Sequence, residues 1–132
     1  MWPFVLYLFT FIGNVRIILK NSLKNSAEFN RVFTNGRSFA NRLLVMYVCK
    51  NGSDINRLGI SVSKKVGNSV IRHRSTRLIR ESYRLSVNMF NSGLDIVVIA
   101  RAGIKEAGFF EVREAMLHLA KLHKIIRADA IS

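Results

Sequence analysis

The chain is poor in the residues that make covalent or metal cross-links. It has 132 residues with a single cysteine, Cys49, and a single proline. One cysteine excludes an intramolecular disulfide and a zinc site built from several cysteines, and we expect a protein of the reducing cytoplasm. Acidic residues are also scarce, since 8 Asp and Glu stand against 21 Lys and Arg for a formal charge of +13. Such an excess is typical of a protein that binds a polyanion, and we expect nucleic acid as the partner and no membrane.

Length and composition indicate one folded domain. A chain of 132 residues is within the usual size of a single domain, and 49% hydrophobic residues supply enough apolar surface for a core. We find no internal repeat and no low-complexity segment. The sequence therefore predicts one small globular unit with a basic surface.

The first residues differ from the rest of the chain. Residues 1–19 hold one charge, Arg16, among many Phe, Leu and Ile residues. The uncharged run is shorter than the roughly 20 residues that cross a bilayer as a helix, and it lacks the basic start and cleavage site of a secretory signal. We divide the chain into an apolar extension of unknown role, residues 1–18, and a basic folded domain, residues 19–132. A membrane anchor, an extra helix or strand on the domain, and a loosely ordered or misassigned start are the alternatives.

Hydrophobic periodicity and turn residues predict an α+β fold with the order α-β-β-α-β-α. The first two strands are expected to pair as a hairpin, and the apolar run LDIVVIA is typical of a central strand buried on both faces. A three- or four-stranded sheet with helices packed on it follows. The predicted helices cover residues 27–34, 68–90 and 109–124, and the predicted strands cover residues 43–49, 57–63 and 94–100.

Positive charge is concentrated on the second predicted helix and the loop before it. At about 100° per residue, Ile71, Leu78, Leu85 and Met89 form an apolar stripe that we expect to face the core. The opposite side carries His73, Arg77, Arg80 and Arg84. A charged outer face is ordinary on an amphipathic helix, but this one is nearly of a single sign and rich in arginine. Guanidinium groups bind phosphate through two parallel hydrogen bonds, so the pattern favours nucleic-acid binding.

The entrance to this helix predicts an anion site. Lys64 and Lys65 precede Gly67 and Asn68, so two ammonium groups lie close to the positive end of the helix dipole. The G-x-x-x-x-G-K-[ST] spacing of a nucleotide-binding P-loop is absent. The entrance is therefore interpreted as part of the same basic surface.

Residues 59–84, GISVSKKVGNSVIRHRSTRLIRESYR, resemble the RNR-motif region of the protein subunit of bacterial ribonuclease P. Residues 22–48 are similar to the opening helix and first strand of that family, and residues 94–101 are similar to its late central strand. Two departures are His73, where the family usually has Asn, and Ser75-Thr76, where it usually has an apolar residue and Lys.

The resemblance implies an assisting role in tRNA processing. In that family the RNA subunit cleaves precursor tRNA with Mg²⁺ to give the mature 5′ end, and the protein binds that RNA and the 5′ leader. No catalytic or metal-binding protein residue is implied, and the fold would contain a left-handed β-α-β crossover, against the usual rule. The leader would contact Phe29, Phe33 and Tyr47. The RNA subunit would contact Lys64, Lys65, Asn68, Arg72, His73, Arg74, Arg77 and Arg80.

Other interpretations stay open at this point. Aromatic rings beside positive charge can stack on single-stranded RNA, but Phe29 and Phe33 also share the expected core face of the first helix. His118 and His123 are five residues apart, which does not match the spacing of a helical zinc pair. A general or ribosome-associated RNA-binding protein and a basic membrane-surface protein are the rival functions.

Overall fold

The computed structural model describes residues 21–130, and the predicted extension at residues 1–18 lies outside them. The helices in this part of the chain are α1 (Ser26–Asn35), α2 (Ser69–Ser86) and α3 (Phe109–His123). The strands are β1 (Arg37–Ala40), β2 (Leu44–Lys50), β3 (Arg57–Ser61) and β4 (Leu94–Ala100). Short 3₁₀ helices cover Val87–Met89, Ala102–Glu106 and Ala128–Ala130. The predicted α+β class is confirmed.

Polar and small residues define the two ends of α1. Asn25 caps the helix, because the Glu28 backbone N–H donates to its side-chain oxygen at 2.9 Å. At the other end the chain turns through Gly36 directly into β1. A Cβ on Gly36 would lie 2.6 Å from the Val32 carbonyl oxygen and 2.8 Å from that of Val48. The missing side chain therefore lets the end of α1 lie against β2.

The sheet has the strand order β1-β2-β4-β3. β2 pairs antiparallel with β1 and with β4, whereas β3 runs parallel to β4. The predicted hairpin between the strands now called β2 and β3 is wrong, because β4 lies between them. Both edges of β4 are paired and both of its faces are largely buried, which agrees with its continuous apolar sequence. α2 connects the parallel strands β3 and β4, and the left-handed sense of that crossover stays a prediction.

Helices cover the two faces of the sheet unequally. α2 and α3 lie over one face, where Met46, Ile96 and Val98 belong to the larger core cluster. α1 lies over part of the other face, where Phe29, Val32 and Val97 form a smaller cluster. Because side chains alternate along each strand, β2 and β4 contribute to both clusters. No helix among residues 21–130 is both long and apolar enough to span a membrane.

The buried face of α2 differs from the predicted one. Leu85 is exposed, and the rest of the predicted stripe (Ile71, Leu78 and Met89) is half-buried at the edge of the core. Small hydroxyl residues take their place, and two of them bond to the helix backbone: Ser75 donates to the Ile71 carbonyl at 2.8 Å and Thr76 to the Arg72 carbonyl at 2.9 Å. Hydropathy counts these residues as polar, so the pattern misplaces the core face. The buried residues of α2 are Ser75, Thr76, Ile79, Arg80, Ser82, Tyr83 and Ser86.

Candidate nucleic-acid interface

The entrance to α2 is an exposed basic turn at one end of the sheet. Lys64 and Lys65 are exposed between the end of β3 and the start of α2. Asn68 caps the helix, and its side-chain oxygen accepts the Ile71 backbone N–H at 3.0 Å. The other N–H groups of the first turn, and with them the positive end of the helix dipole, face this surface. The structure thus brings together the three residues that the sequence predicts at this end.

Backbone carbonyls orient the arginines in the first turns of α2. Arg72 Nη1 donates to the Gly67 carbonyl at 3.1 Å, and Arg74 Nη2 donates to the Ala107 carbonyl at 2.7 Å. A guanidinium has five N–H donors, so Arg74, which is exposed, can also donate to a phosphate. His73, which lies between them in the sequence, is half-buried. Arg77 is exposed, and it forms no ion pair with a carboxylate in the described part of the chain.

Arg80 does not lie on the solvent face, as the helical pattern predicts. Its residue is 7% exposed, because the buried face of α2 extends through Thr76 to the residue one turn later. Burial and repulsion from Arg77 lower the pKa of Arg80. A cavity of about 270 Å³ lies beside it, lined in part by Arg74, Arg77 and Phe109. Arg80 is therefore at the inner edge of the basic surface and not in its exposed row.

Two of the three aromatic residues predicted to line the cleft have partly accessible rings. Phe33 on α1 and Tyr47 on β2 are both half-buried, and their rings meet edge to face with centroids 4.9 Å apart. Phe29 is fully buried, so its ring has no surface for a nucleotide, and its assignment as a leader contact is wrong. Gly59 explains the burial, because a Cβ there would lie 2.6 Å from the Phe29 ring. Phe29 supports the cleft from beneath, and we call Phe33, Tyr47 and the surface around them the aromatic cleft.

A buried carboxylate beside this cleft is a feature that the sequence analysis missed. Asp95 on β4 is fully buried and accepts hydrogen bonds from Arg31, Arg57 and Asn51. Burial alone would raise the pKa of Asp95, but these bonds outweigh it and lower the pKa. The signal was present in the sequence, because an acidic residue in the run LDIVVIA needs a buried partner.

The Asp95 network holds two guanidinium groups at the surface. The Arg31 side chain is 39% exposed and that of Arg57 is 31% exposed. Arg57 also donates to Glu28 at 2.9 Å, and its hydrogen bonds to Asp95 raise its pKa. The Arg31 guanidinium lies near the Cys49 thiol, with 3.6 Å between Nη1 and Sγ. Hydrogen bonds thus fix the direction of both arginines at the side of the sheet that α1 covers.

The histidines of α3 have structural partners. His123 Nε2 donates to the Met46 carbonyl at 2.8 Å, and its ring packs edge to face on Phe39 with centroids 4.7 Å apart. Burial lowers the pKa of His123, and the positive charge of Arg37 adds to this. His118 Nδ1 lies 3.1 Å from the side-chain nitrogen of Asn41. Residues 21–130 contain no group of three His, Cys, Asp or Glu side chains placed to hold a metal ion.

Sequence comparison relates the chain to proteins of known name. Residues 19–124 match the family model described as Ribonuclease P. The Ribonuclease P protein component of Lachnoclostridium phytofermentans is 67% identical over 111 residues, which are 84% of this chain and 96% of that protein. The Ribonuclease P protein component of Alkaliphilus metalliredigens is 47% identical over 106 residues, covering 80% of this chain and 96% of that protein.

Solved structures show the same fold. The RNase P protein of Staphylococcus aureus superposes with a TM-score of 0.74 at 38% identity, covering 81% of this chain and 98% of that one. The RNase P protein of Thermotoga maritima superposes with a TM-score of 0.71 at 35% identity, covering 76% of this chain and 96% of that one. At these identities the likeness extends to sequence as well as to topology.

Proposed function

Because the chain belongs to the ribonuclease P protein family, we propose that it binds the ribonuclease P RNA subunit through α2 and the 5′ leader of precursor tRNA through the aromatic cleft. The RNA subunit would carry out the cleavage in the cytoplasm, and the protein would position the two RNA molecules. One observation carries the proposal: four cations of the RNR-like stretch are exposed, two at the entrance to α2 and two in the first half of that helix. They are Lys64, Lys65, Arg74 and Arg77.

These four positive charges are available to an external anion. None of these four cations forms an ion pair with a carboxylate among residues 21–130. Uncompensated cations on a folded surface repel one another, and a phosphate backbone relieves that repulsion while it releases counterions. Structured RNA is recognised largely through its backbone and shape, which suits a rigid helix with arginines held at fixed directions.

The aromatic cleft suits the single-stranded leader. Phe33 and Tyr47 are partly accessible, and a base can stack on a ring whatever its identity. A protein that serves many precursor tRNAs needs this tolerance of sequence. Arg31 and Arg57, held by Asp95 on the same side of the sheet, supply positive charge beside the rings.

Asp95, the buried carboxylate beside the aromatic cleft, is already committed to side-chain partners. Mg²⁺ prefers several oxygen ligands, but the oxygens of Asp95 already accept hydrogen bonds from Arg31, Arg57 and Asn51. Residues 21–130 also lack a cluster of three ligating side chains. We propose that the RNA subunit binds the Mg²⁺ of the reaction.

Replacement of Arg77 by Ala tests the α2 surface. The variant should fold with an unchanged thermal midpoint, bind the RNA subunit less tightly, and show a salt dependence of log K smaller by about 1, as for one lost phosphate contact. Arg42→Ala is the matched control, because the Arg42 side chain is 68% exposed and its ion-pair partner is Glu111 of α3. Filter binding and thermal unfolding measure the two properties.

The same assay separates this function from its rivals. Wild-type protein should prefer the ribonuclease P RNA over a ribosomal RNA fragment of equal length, and lipid vesicles should not compete. Equal affinity for both RNA molecules would favour a general RNA-binding protein. Unchanged affinity of Arg77→Ala for the RNA subunit would contradict the assigned surface.

A further inference from the structure

Phe110, the second residue of α3, is the one exposed aromatic side chain among residues 21–130. It is 75% exposed, whereas the other phenylalanines and the tyrosines in this range are buried or half-buried. Single exposed aliphatic residues are ordinary on a protein surface. An exposed phenylalanine is less common, and aromatic rings are enriched at binding surfaces because they offer a large contact area. The other large apolar residues that are exposed are aliphatic: Ile55, Val70, Leu85 and Leu122.

The start of α3 does not need the Phe110 ring for its own stability. The Gly108 backbone N–H donates to Glu111 Oε1 at 2.8 Å, and the Gly108 carbonyl accepts the Val112 N–H at 3.1 Å. The Phe110 ring contacts the half-buried Phe109 ring edge to face, with centroids 5.5 Å apart. This contact orients the exposed ring and leaves most of its surface accessible to a partner.

Phe109 connects this ring to the basic surface of α2. Phe109, Arg74 and Arg77 line the same cavity of about 270 Å³. The Arg74 guanidinium donates to the Ala107 carbonyl at 2.7 Å, so it is held against the segment that leads into α3. Within residues 21–130 neither arginine pairs with a carboxylate. The exposed ring of Phe110 is therefore next to two cations that can bind phosphate.

Acidic side chains determine from which side a phosphate backbone can approach Phe110. In the cavity on the α2 side the acid is Glu81, which is paired with the arginine three residues later. On its other side Phe110 borders a cavity of about 400 Å³, where Glu111 and Glu114 outnumber the cation Arg42. Carboxylates repel phosphate. A backbone is therefore favoured on the α2 side of the ring.

We propose that the Phe110 ring stacks on an unpaired base of the ribonuclease P RNA subunit, while Arg74 and Arg77 contact the backbone beside that base. The inference rests on the proposed function, in which α2 binds this RNA through its phosphates. It adds a contact to a base, made by α3 and outside the RNR-like stretch of residues 59–84. Bases in a duplex are covered by their neighbours, so the ring selects an unpaired base, and stacking accepts any base.

Substitution of Phe110 tests the stacking contact by affinity for the RNA subunit. Phe110→Leu keeps an apolar side chain and removes the aromatic face, so binding should weaken about fivefold or more. Phe110→Trp should bind as tightly as wild type, because it restores an aromatic face. The slope of log K against log salt should stay unchanged in both variants, because no phosphate contact is lost. Arg77→Ala, in contrast, should reduce that slope.

Two controls isolate the aromatic ring. Leu122→Ala removes another exposed apolar side chain of α3, and it should leave RNA affinity unchanged. A fully paired RNA duplex of equal length offers no unpaired base, so wild type and Phe110→Leu should bind it equally. Thermal unfolding of every variant establishes that each is folded.

Fluorescence gives a second measurement that does not depend on affinity. The chain has a single tryptophan, Trp2, so Phe110→Trp in a Trp2→Phe background places the only indole on α3. Stacking on a base quenches indole fluorescence, and the signal should fall when ribonuclease P RNA is added. Leu122→Trp in the same background is the control, and its emission should not be quenched.

Three outcomes would overturn the inference. Unchanged RNA affinity of Phe110→Leu would mean that the ring does not contact this RNA, as expected of a surface for a protein partner. A loss that Phe110→Trp does not restore would exclude stacking, and an equal loss with the duplex would show that no unpaired base is needed. Failure of the proposed function is a separate result, seen in wild type alone as equal affinity for ribonuclease P RNA and a ribosomal RNA fragment.

Discussion

Phe29 and Phe33 are one helical turn apart, yet they have different environments. Phe29 is fully buried above Gly59, and Phe33 is half-buried against Tyr47. Both lie on one side of α1, because residues four apart in a helix share a face. The sheet covers the first ring and leaves the second at its margin. The two residues should therefore respond differently to the same substitution.

We expect Phe33→Leu to weaken binding of precursor tRNA by about 1 kcal/mol, because it removes a stacking ring, and to leave binding of mature tRNA unchanged. Phe29→Leu is the matched control. It should reduce the free energy of unfolding by about 1 kcal/mol through imperfect packing, with no effect that depends on the leader. Holoenzyme affinities for the two substrates, together with urea unfolding, measure both. A leader-specific loss in Phe29→Leu would contradict the assignment.

Asp95 is the shared hydrogen-bond acceptor of two partly exposed arginines, Arg31 and Arg57. We expect Asp95→Asn to lower the free energy of unfolding by about 2 kcal/mol, because Arg31 loses its carboxylate partner and Arg57 keeps only Glu28. The value is below that of a fully buried pair, since both guanidinium groups are partly exposed. Urea unfolding at pH 7 measures it. Unchanged stability would mean that water solvates the two arginines equally well.

The lowered pKa of Asp95 also predicts a pH dependence. A carboxyl group whose pKa is lower in the folded state stabilises the protein above its unfolded pKa of about 3.9, and this stability is lost as pH falls through the folded pKa. Wild type should therefore lose stability below about pH 4 more steeply than Asp95→Asn. Parallel pH profiles for the two proteins would show that Asp95 titrates normally.

At the scale of elements, the turn from α1 into β1 depends on the absence of a side chain. Gly36 has a φ of −87°, which any residue can adopt, so space and not backbone conformation selects glycine. Two carbonyl oxygens occupy the position of a Cβ. A side chain at residue 36 would therefore also press on β2, to which one of these oxygens belongs.

We expect Gly36→Ala to lower the free energy of unfolding by about 2 kcal/mol through steric overlap with these two carbonyls. Gly52→Ala is an informative comparison, because nothing lies within 4 Å of a Cβ there and its cost would come from a φ of +75° alone. Chemical denaturation of both variants separates the two causes. A stabilised Gly36→Ala would show that β2 moves away at no cost.

At the scale of the whole molecule, the first described residues already pack on the sheet. Leu23 is 1% exposed in the smaller core cluster, and its backbone N–H donates to the Leu58 carbonyl at 3.0 Å. Asn21 accepts a hydrogen bond from the Leu58 N–H at 3.1 Å. The match to the family model begins at residue 19. The segment that joins α1 to the sheet is therefore contained within the family domain.

Deletion of residues 1–18 should leave the thermal midpoint and RNA-dependent processing of precursor tRNA unchanged, because the match to the family model begins at residue 19. Thermal unfolding and a processing assay of the shortened chain provide the measurement, with the full chain as the reference. Loss of the folded core would mean that the extension is part of the domain.

The sequence by itself determined the features that depend on neighbouring residues. The run LDIVVIA predicted β4 with its observed bounds, Asn68 was predicted as the start of α2 and caps it, and the concentration of Lys and Arg around residues 64–77 indicated a nucleic-acid partner. Hydrophobic periodicity, capping and charge density are local properties, so a linear sequence contains them. The resemblance to the ribonuclease P family rested on the same stretch.

Tertiary structure decided what depends on residues that are distant in the chain. β4 separates β2 from β3, so the predicted hairpin does not form. Close contact between helices buries Arg80 and the serines of α2, and contact with Gly59 buries Phe29. The partners of Asp95 come from α1, β3 and the loop after β2. Each of these outcomes depends on which parts of the chain pack against each other. The free energy of burial is set by these contacts between distant residues, and the order of neighbouring residues does not specify it.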